Sequence, residues 1–366
     1  MLFSLPILIF AGIVGVNILY YAIFTRFSFG STAVVPQERY PISLLVYTKN
    51  QAEFLESAVH QFLQQDYFKF EIVLINNVSS DNSLEIIERL AEKNSHVRYV
   101  NVEHNEAFWG NRKYALTLGI KKASYPHILI VNLETQPDTP NWISEMASHF
   151  SEEKKIIIGY TGQRKHKLSL VNKFIRFMDA WYAIKFFSMA RWGIPYTAMD
   201  TNLAFVQSVF YEQSGYASHM KIRYGDGAIF VSEAATSKNT AIAITPGSRI
   251  RNRLPKPFSV WVAEQRKYKT IKSRLKKTPR LILSLFTLSQ WLFWLSMGII
   301  WLFELEWPLV VSLIAVRFIW VWLILSKGIA KVKEQDVIWF LPIFEIMSLF
   351  FSAGLAISNR ISKPKF

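Results

Sequence analysis

The sequence of 366 residues contains no cysteine, which excludes disulfides, thiolate metal sites and a cysteine nucleophile. Its seven histidines show neither an HExxH spacing nor a comparable ligand spacing, which argues against a zinc enzyme. A GxGxxG turn after the first strand-like run is missing, and so is a GxxxxGK[ST] loop. These two absences disfavour a dinucleotide dehydrogenase and a P-loop ATPase.

Acidic residues are scarce relative to basic ones, 27 against 42, so the formal net charge is +15. A nucleic-acid-binding protein can carry such a charge. Here, however, 51% of the residues are hydrophobic, and they come in long runs. We therefore expect the positive charge to face an anionic membrane surface, and we expect no nucleic-acid partner.

Four apolar runs are long enough to cross a bilayer: Leu2–Phe24, Leu281–Phe303, Trp307–Ser326 and Val337–Ser358. The first run lacks the basic start and the small-residue cleavage site of a signal peptide, so we interpret it as a retained anchor within residues 1–26. The last two runs contain one charge each, Arg317 and Glu345. Because charges are costly in lipid and usually pair, we expect these two to pair with each other.

Between Pro41 and about Tyr160, strand-like apolar runs alternate with helix-like stretches. The strand-like runs are Ile42–Tyr47, Glu71–Asn76, Val97–Val102, His127–Asn132 and Ile156–Tyr160. In the first helix-like stretch apolar residues recur every four positions, at Phe54, Ala58 and Phe62, which is typical of a one-sided amphipathic helix. This alternation predicts βαβ units and a mainly parallel sheet.

The stretch from Ile128 to Asp138, ILIVNLETQPD, is the part of this pattern most suggestive of function. Four apolar residues predict a strand that is buried on both faces. Asn132, Glu134 and Asp138 follow in a loop, and ligands of open α/β sheets bind at the carboxyl ends of the strands. A metal–diphosphate site normally uses two acidic side chains, whereas this loop places one carboxamide and one carboxylate.

Two further stretches leave alternatives open. Lys165–Trp192 is helical in composition and either lies on the membrane surface or packs on the sheet as an ordinary amphipathic helix. Gln265–Arg280 carries eight basic residues and no acidic one immediately before an apolar run. It is either a solvated charge run or, as we favour, a collar that binds lipid headgroups within a basic interfacial segment at residues 251–280.

Several motifs together resemble the membrane-anchored family-two glycosyltransferases, inverting enzymes of GT-A fold. The motifs are PISLLVYTKNQAEFL at Pro41, QDYFKFEIVLINNVSSDNS at Gln65, FWGNRKYALTLGIKKA at Phe108, the Ile128–Pro137 stretch and GDGAIFVSEAA at Gly225. The likeness runs from Pro41 to about Tyr268. It implies an α/β, nucleotide-sugar-binding GT-A domain at residues 40–250, with transmembrane helices on both sides, at residues 1–26 and 281–358.

The resemblance also implies site residues. Asp226 falls on the position of the catalytic base, although an aspartate between two glycines also suits a turn. Asn132 and Glu134 fall on the Asp-x-Asp metal motif, which implies weakly bound Mg²⁺ or Mn²⁺. The implied nucleotide-sugar-binding residues are Thr48, Asn50, Asn77, Asp81, Lys113, Asn132, Glu134 and Gln265.

The departing diphosphate of a sugar nucleotide gains negative charge, so something positive must stabilise it. Either the metal does so, or basic side chains take its place; the candidates are Arg112, Lys113, Arg164 and Lys165. The resemblance implies a membrane-bound hexosyltransferase that moves a sugar from a nucleotide donor to a lipid-linked or polysaccharide acceptor in cell-envelope glycan synthesis. The alternative is a catalytically weakened homologue that binds a partner protein or a lipid. The expected location is the bacterial inner membrane, with several spans and the catalytic domain facing the cytoplasm.

Overall fold

The structure, a computed structural model, describes residues 5–32, 39–103, 111–301 and 307–364. Residues 108–110 of the motif that begins at Phe108 therefore lie outside the described residues. The strands are β1 Ile42–Thr48, β2 Phe70–Asn77, β3 Val97–Val102, β4 His127–Asn132, β5 Thr135–Pro137, β6 Ile156–Ile158, β7 Thr161–Gly162, β8 Leu203–Val206, β9 Thr240–Ile242 and β10 Ile250–Asn252.

The main sheet has seven strands in the order β3-β2-β1-β4-β8-β6-β9. Its first four strands are parallel, with Leu44 of β1 opposite Ile72 of β2 and Leu129 of β4. Strand β8 is antiparallel to both of its neighbours, β4 and β6. Every residue of β2 is buried, as expected for a strand covered on both faces. The predicted α/β fold with a mainly parallel sheet is confirmed.

Helices cover the sheet and continue into an apolar bundle. They are α1 Leu5–Ala22, α2 Thr25–Ser28, α3 Ala52–Leu63, α4 Ser83–Lys93, α5 Arg112–Lys122, α6 Trp142–Ala147, α7 Leu170–Arg191, α8 Gln207–Glu212, α9 Asp226–Ala234, α10 Phe258–Ile271, α11 Lys277–Ile300, α12 Trp307–Lys331 and α13 Leu341–Ile361. The helix α3 buries Leu55, Ala58, Val59 and Phe62. This apolar side of α3 agrees with the predicted four-residue recurrence.

A second, three-stranded sheet has the order β5-β10-β7. Ile250 of β10 lies opposite Pro137 of β5, and Asn252 lies opposite Thr135. The guanidinium of Arg253 also donates to the Leu133 carbonyl. The small sheet therefore ties the chain around residues 250–252 to the loop that follows β4, so the ordered sheet continues two residues past the predicted domain end at residue 250.

Four helical segments among the described residues are long and apolar enough to cross a membrane: Leu5–Ala22, Lys277–Ile300, Trp307–Lys331 and Gln335–Ile361. They coincide with the four predicted spans. The predicted pairing of the two charges in these segments is confirmed, because Nη1 of Arg317 donates to Oε2 of Glu345 at 2.8 Å. Arg317 also donates to Asn17 of α1 and Gln290 of α11, so one polar residue from each of the four segments joins this network.

Helix α7 joins the bundle to the sheet domain. Phe27 of α2 stacks on Phe187 of α7 at 5.2 Å, and Phe174 of α7 meets Phe344 of α13 at 5.5 Å. The buried Arg176 of α7 is paired with Glu334, next to the last span. Since α7 is mostly buried, the structure supports the packed amphipathic helix among the two alternatives for Lys165–Trp192.

Candidate active site

A cleft of about 870 Å³ lies at the carboxyl ends of β1 and β4. The side chains of Asn132, at the end of β4, and Glu134, in the next turn, line it together with Tyr47 of β1. Parallel neighbours β1 and β4 end at the same edge of the sheet, which explains why residues so distant in sequence meet here. Asp226 and Gln265 line the same cleft.

Asp226 is the first residue of α9 and is almost fully buried. Its Oδ2 lies 2.9 Å from Nε of Arg112, and its Oδ1 lies 2.8 Å from Nζ of Lys113. Both carboxylate oxygens therefore face a cation from the start of α5. Removing one partner from such a buried pair leaves an uncompensated charge, which is strongly destabilising.

The two glycines beside Asp226 have separate structural reasons. Gly225 has a φ of 70°, and a Cβ on it would lie 2.2 Å from Cδ1 of Ile271. A Cβ on Gly227 would lie 2.9 Å from the carbonyl oxygen of Met199. Only glycine suits both the left-handed backbone and the close approach. The Gly-Asp-Gly sequence therefore serves a tight turn and at the same time places Asp226 in the cleft.

Asp200, which the sequence analysis missed, stabilises this turn through hydrogen bonds. Its Oδ1 accepts hydrogen bonds from the backbone N–H groups of Gly227 at 2.9 Å and Ala228 at 3.2 Å, and its Oδ2 accepts one from the Tyr268 hydroxyl. Burial, and then the charge of Asp226, raises the pKa of Asp200. Asp200 also lines the cleft. It is a lone aspartate in a loop before β8, so no motif or spacing marked it.

Lys113 does not contact the cleft in this structure. Its side chain is fully buried, and its ammonium donates to the carbonyls of Ile222 and Tyr224 and forms an ion pair with Oδ1 of Asp226 at 2.8 Å. Lys113 thus lies beneath Asp226 and outside the lining of the cleft, and its contact with the nucleotide sugar stays a prediction. Its neighbour Arg112 lines the cleft and lies over the ring of Tyr47.

The four remaining predicted nucleotide-sugar positions lie beside the cleft rather than in its wall. Thr48 and Asn77 are buried at the ends of β1 and β2, where Nδ2 of Asn77 donates to the Tyr47 hydroxyl at 2.8 Å. Asn50 accepts from the Ser80 N–H, and Asp81 accepts from the N–H groups at the starts of α3 and α4. Asn50 and Asp81 thus link the loops that follow β1 and β2, and the contact of all four residues with a nucleotide stays a prediction.

The loop after β4 offers two oxygen ligands for a cation. Oδ1 of Asn132 is buried and accepts no hydrogen bond, while Gln51 occupies only Oε1 of the Glu134 carboxylate. Within the ranges that the structure describes, no group of three histidine or acidic side chains could hold a metal. Magnesium often takes only one or two carboxylates together with substrate phosphates and water. Asn132 and Glu134 fit such a weakly held ion.

The opposite wall of the cleft is formed by α7 and α10. Gln265 and Tyr268 of α10 line it, and so does Asp179 of α7. Oδ2 of Asp179 accepts from Gln163 at 2.7 Å, and its Oδ1 accepts from the Trp261 ring N–H at 3.1 Å. Burial raises the pKa of Asp179 to about 6, although both hydrogen bonds lower it. Asp179 is therefore a carboxylate whose direct partners are neutral.

Comparison with known proteins shows that the sequence of this chain is similar to one enzyme family. Residues 43–211 match the sequence model of glycosyl transferase family 2. The poly-beta-1,6-N-acetyl-D-glucosamine synthase of Staphylococcus aureus strain COL is 32% identical over 110 residues, 30% of this chain and 26% of that protein. The synthase of the same name from Staphylococcus epidermidis is 30% identical over 135 residues, 36% of this chain and 32% of its own length. The matched part of this chain thus corresponds to about a third or less of either relative.

A solved structure supports the fold. The mannosyltransferase PcManGT from Pyrobaculum calidifontis, in complex with GDP-Man and Mn2+, superposes with a TM-score of 0.58 at 14% identity. The alignment covers 90% of this chain and 97% of that one. At this identity the likeness concerns the architecture alone. The sheet order, the cleft and the family match agree: this chain carries a domain, over residues 43–211, that is similar to glycosyl transferase family 2 and has the GT-A fold, and its described residues include four helical segments suited to a membrane.

Proposed function

We propose that this protein is a membrane-bound, inverting glycosyltransferase that moves a sugar from a nucleotide-sugar donor to a lipid-linked or polysaccharide acceptor. The observation that carries the proposal is one cleft that brings together Asp226, Asn132, Glu134 and Gln265. These residues come from three separate stretches of the chain, since Asn132 and Glu134 share one. The GDP-mannose bound to the solved mannosyltransferase and the activity of the staphylococcal synthases support a nucleotide-sugar donor and a glycan product.

In the proposed reaction Asp226 is the general base. It takes the proton from an acceptor hydroxyl, whose oxygen then bonds to the anomeric carbon from the face opposite to the diphosphate. The bond between the anomeric carbon and the diphosphate oxygen breaks, and the diphosphate leaves with the electron pair. Asp200 contributes as a positioning residue, because it holds the backbone N–H groups at the start of α9.

The departing diphosphate needs positive charge, and Arg112 is the cation that the cleft presents beside Asp226. Its guanidinium has several donors in a fixed plane, so one edge can contact Asp226 while another meets phosphate. A weakly bound Mg²⁺ or Mn²⁺ on Asn132 and Glu134 would supply further Lewis-acid stabilisation of the diphosphate. With only one carboxylate in that pair, Arg112 carries more of this role than in a site with two aspartates.

For the membrane arrangement we propose four spans and a catalytic domain on the cytoplasmic side of the bacterial inner membrane. The basic Gln265–Arg280 segment supports this orientation, because lysine and arginine near spans favour the cytoplasmic side. The domain limits of the proposal are residues 1–26, 40–250, 251–280 and 281–358. A reporter fused to the carboxyl terminus should then read on the outer side of that membrane, and a cytoplasmic signal would contradict four crossings.

The test uses the full chain in a nonionic detergent. A thermal-shift panel of nucleotide sugars, with and without Mn²⁺, identifies the donor, and a transfer assay with that donor then measures turnover. We expect stabilisation by one donor class and measurable transfer. Binding without turnover would favour the second candidate, a catalytically weakened homologue that binds a partner or a lipid, for which the Asn132 amide in the metal pair is the supporting observation.

A further inference from the structure

Four cations line the part of the cleft that lies beside the membrane helices. They are Lys185 of α7, Lys269 of α10, Lys272 of the 3-10 helix Lys272–Arg274 and Arg280 of α11. Three of them are half-buried, and Lys272 is exposed. Helix α7 and the start of the bundle thus converge on one positively charged region.

The four cations have few compensating contacts. Lys185 lies 4.5 Å above the ring of Trp181, Lys269 donates to the Ser352 carbonyl, and Arg280 donates to the Ser273 carbonyl. In the described ranges no carboxylate forms an ion pair with any of the four. The four positive charges therefore repel one another, and the packing of the helices keeps them close together.

Burial and then the repulsion between the cations lower the pKa values of two of the lysine side chains. Burial, and then the charge of Lys272, lowers the pKa of Lys185 to about 7. Burial and the same neighbour lower the pKa of Lys269. A bound anion would relieve both the repulsion and the loss of hydration, which is the environment that a phosphate-binding site provides.

The wall next to these cations belongs to membrane helices and has a large apolar part. Leu283, Phe286 and Trp291 of α11 line it, and so do Leu349 and Leu355 of α13. A site with a cationic group beside an apolar wall matches an amphiphile that carries an anionic head on an apolar tail. A neutral polysaccharide would not need the four cations.

We infer that this cluster binds the phosphate or diphosphate of a lipid-linked acceptor, with its apolar tail against α11 and α13. The inference rests on the proposed glycosyl transfer and selects the lipid-linked acceptor over the polysaccharide. The basic segment predicted as a collar for membrane headgroups thus turns Lys269, Lys272 and Arg280 toward the cleft. The acceptor phosphate would lie in the same cleft as Asp226.

The experiment measures dissociation constants by calorimetry for the full chain in nonionic detergent. The probe is dodecyl phosphate; dodecanol, inorganic phosphate and a neutral oligosaccharide are the comparison ligands. The double variant Lys185→Gln with Lys272→Gln should bind dodecyl phosphate at least about tenfold more weakly, because contacts between ionised partners are the strong ones. The matched control changes two exposed lysines at the end of α5, Lys121→Gln with Lys122→Gln, and should bind as the parent does.

Charge-keeping variants separate the role of charge from a folding defect: Lys185→Arg with Lys272→Arg should retain the affinity. Equal affinity of the glutamine double variant and the parent would overturn the inference. So would equally tight binding of dodecanol, of inorganic phosphate alone or of the neutral oligosaccharide. Nucleotide-sugar affinity, measured in the same variants, should stay unchanged. A parent that binds no nucleotide sugar contradicts the proposed function, whereas dodecyl phosphate binding reports on the cluster alone.

Discussion

Two groups of buried charges have members that line the same cleft, and the two groups differ in how completely their charges are paired. In the bundle, one cation and one carboxylate, Arg317 and Glu345, are joined by neutral Asn17 and Gln290. At the carboxyl ends of the strands, Asp226 forms ion pairs with Arg112 and Lys113. Burial raises the pKa of a second carboxylate, Asp200, which is close enough for the charges of these three residues to shift its pKa as well.

The exposure of the cations differs too. The Arg317 side chain is 0% exposed, whereas that of Arg112 is 19% exposed. In the bundle network the one cation pairs with the one carboxylate, and no like charges lie together, as expected for a structural link in an apolar setting. The site network keeps two acids close together and one cation open to the cleft. Incomplete pairing of this kind is typical of a catalytic site.

Asp226→Asn should lower turnover by about 10²–10⁴-fold, because general-base assistance is typically of that size. Donor affinity of the folded variant should stay nearly unchanged, since the amide keeps the size and polarity of the side chain. Its thermal stability should fall, because Lys113 loses its charged partner. The measurements are kcat in a transfer assay and the donor Kd by calorimetry. Glu233→Gln serves as the matched control, because Glu233 is in the same helix but bonds to Ser218. Full turnover of Asp226→Asn together with loss in the control would move the base to Glu233.

Glu345→Gln should destabilise the bundle by about 3–5 kcal/mol, because it leaves Arg317 as an uncompensated buried charge. The double variant Arg317→Met with Glu345→Met should lose less, since it removes both charges. Thermal unfolding in detergent measures both, and the donor Kd reports whether the cleft persists. If the double variant proves less stable than Glu345→Gln, the ion pair itself stabilises the bundle. The cost of an unpaired buried charge would then not explain the loss in Glu345→Gln.

Asn132→Asp should tighten Mn²⁺ binding by about tenfold, because metal affinity rises with the charge of the ligands. Calorimetry with Mn²⁺ in the presence of the donor measures the change. Asn141→Asp, an exposed position before α6, is the control and should bind Mn²⁺ as the parent does. Tight binding already in the parent, or no change in Asn132→Asp, would count against a metal on Asn132 and Glu134.

Asp179 is a half-buried carboxylate whose direct hydrogen-bond partners are neutral. Its pKa is raised to about 6, so the folded state holds a proton that the unfolded state has already lost between about pH 4 and pH 6. Its contribution to stability is present below pH 4 and is lost as the pH rises through 6. Relative to Asp179→Asn, the parent should lose about 1–2 kcal/mol over this window. Melting temperatures at pH 4, 5, 6 and 7 check it; parallel pH profiles would refute the shift.

The ion pair of Arg89 with Glu56 should contribute least. The two side chains are 51% and 64% exposed, so water and salt screen their attraction. Glu56→Ala should change the free energy of unfolding by less than about 0.5 kcal/mol. A loss comparable to that of Glu345→Gln would mean that burial does not explain the difference between charge pairs in this protein.

Local patterns predicted much of the fold. The five strand-like runs correspond to β1, β2, β3, β4 and β6, and the four apolar runs correspond to the four bundle segments. The strands that the sequence analysis missed, β5 and β7–β10, have two to four residues each. So few residues show no periodicity, and they form strands because neighbouring strands supply their hydrogen bonds.

The site was predicted less completely. Asp226, Asn132, Glu134 and Gln265 do line one cleft, as their motifs implied. Lys113 and Arg112 are adjacent in sequence, yet one is buried beneath Asp226 and the other faces the cleft. Successive residues of a helix point in different directions, so only the packing of α5 decides which lysine or arginine meets the ligand.

The alternation of strands and helices, the four membrane-length segments and the pairing of Arg317 with Glu345 could all be predicted from the amino-acid sequence. Each follows from the periodicity or length of an apolar run, or from the cost of a lone charge in lipid. The tertiary structure alone decided the support of α9 by Asp200, the burial of Lys113 and the convergence of Lys185 with Lys272 and Arg280. These contacts join residues far apart in the chain, and no local pattern encodes which distant side chains a fold brings within reach.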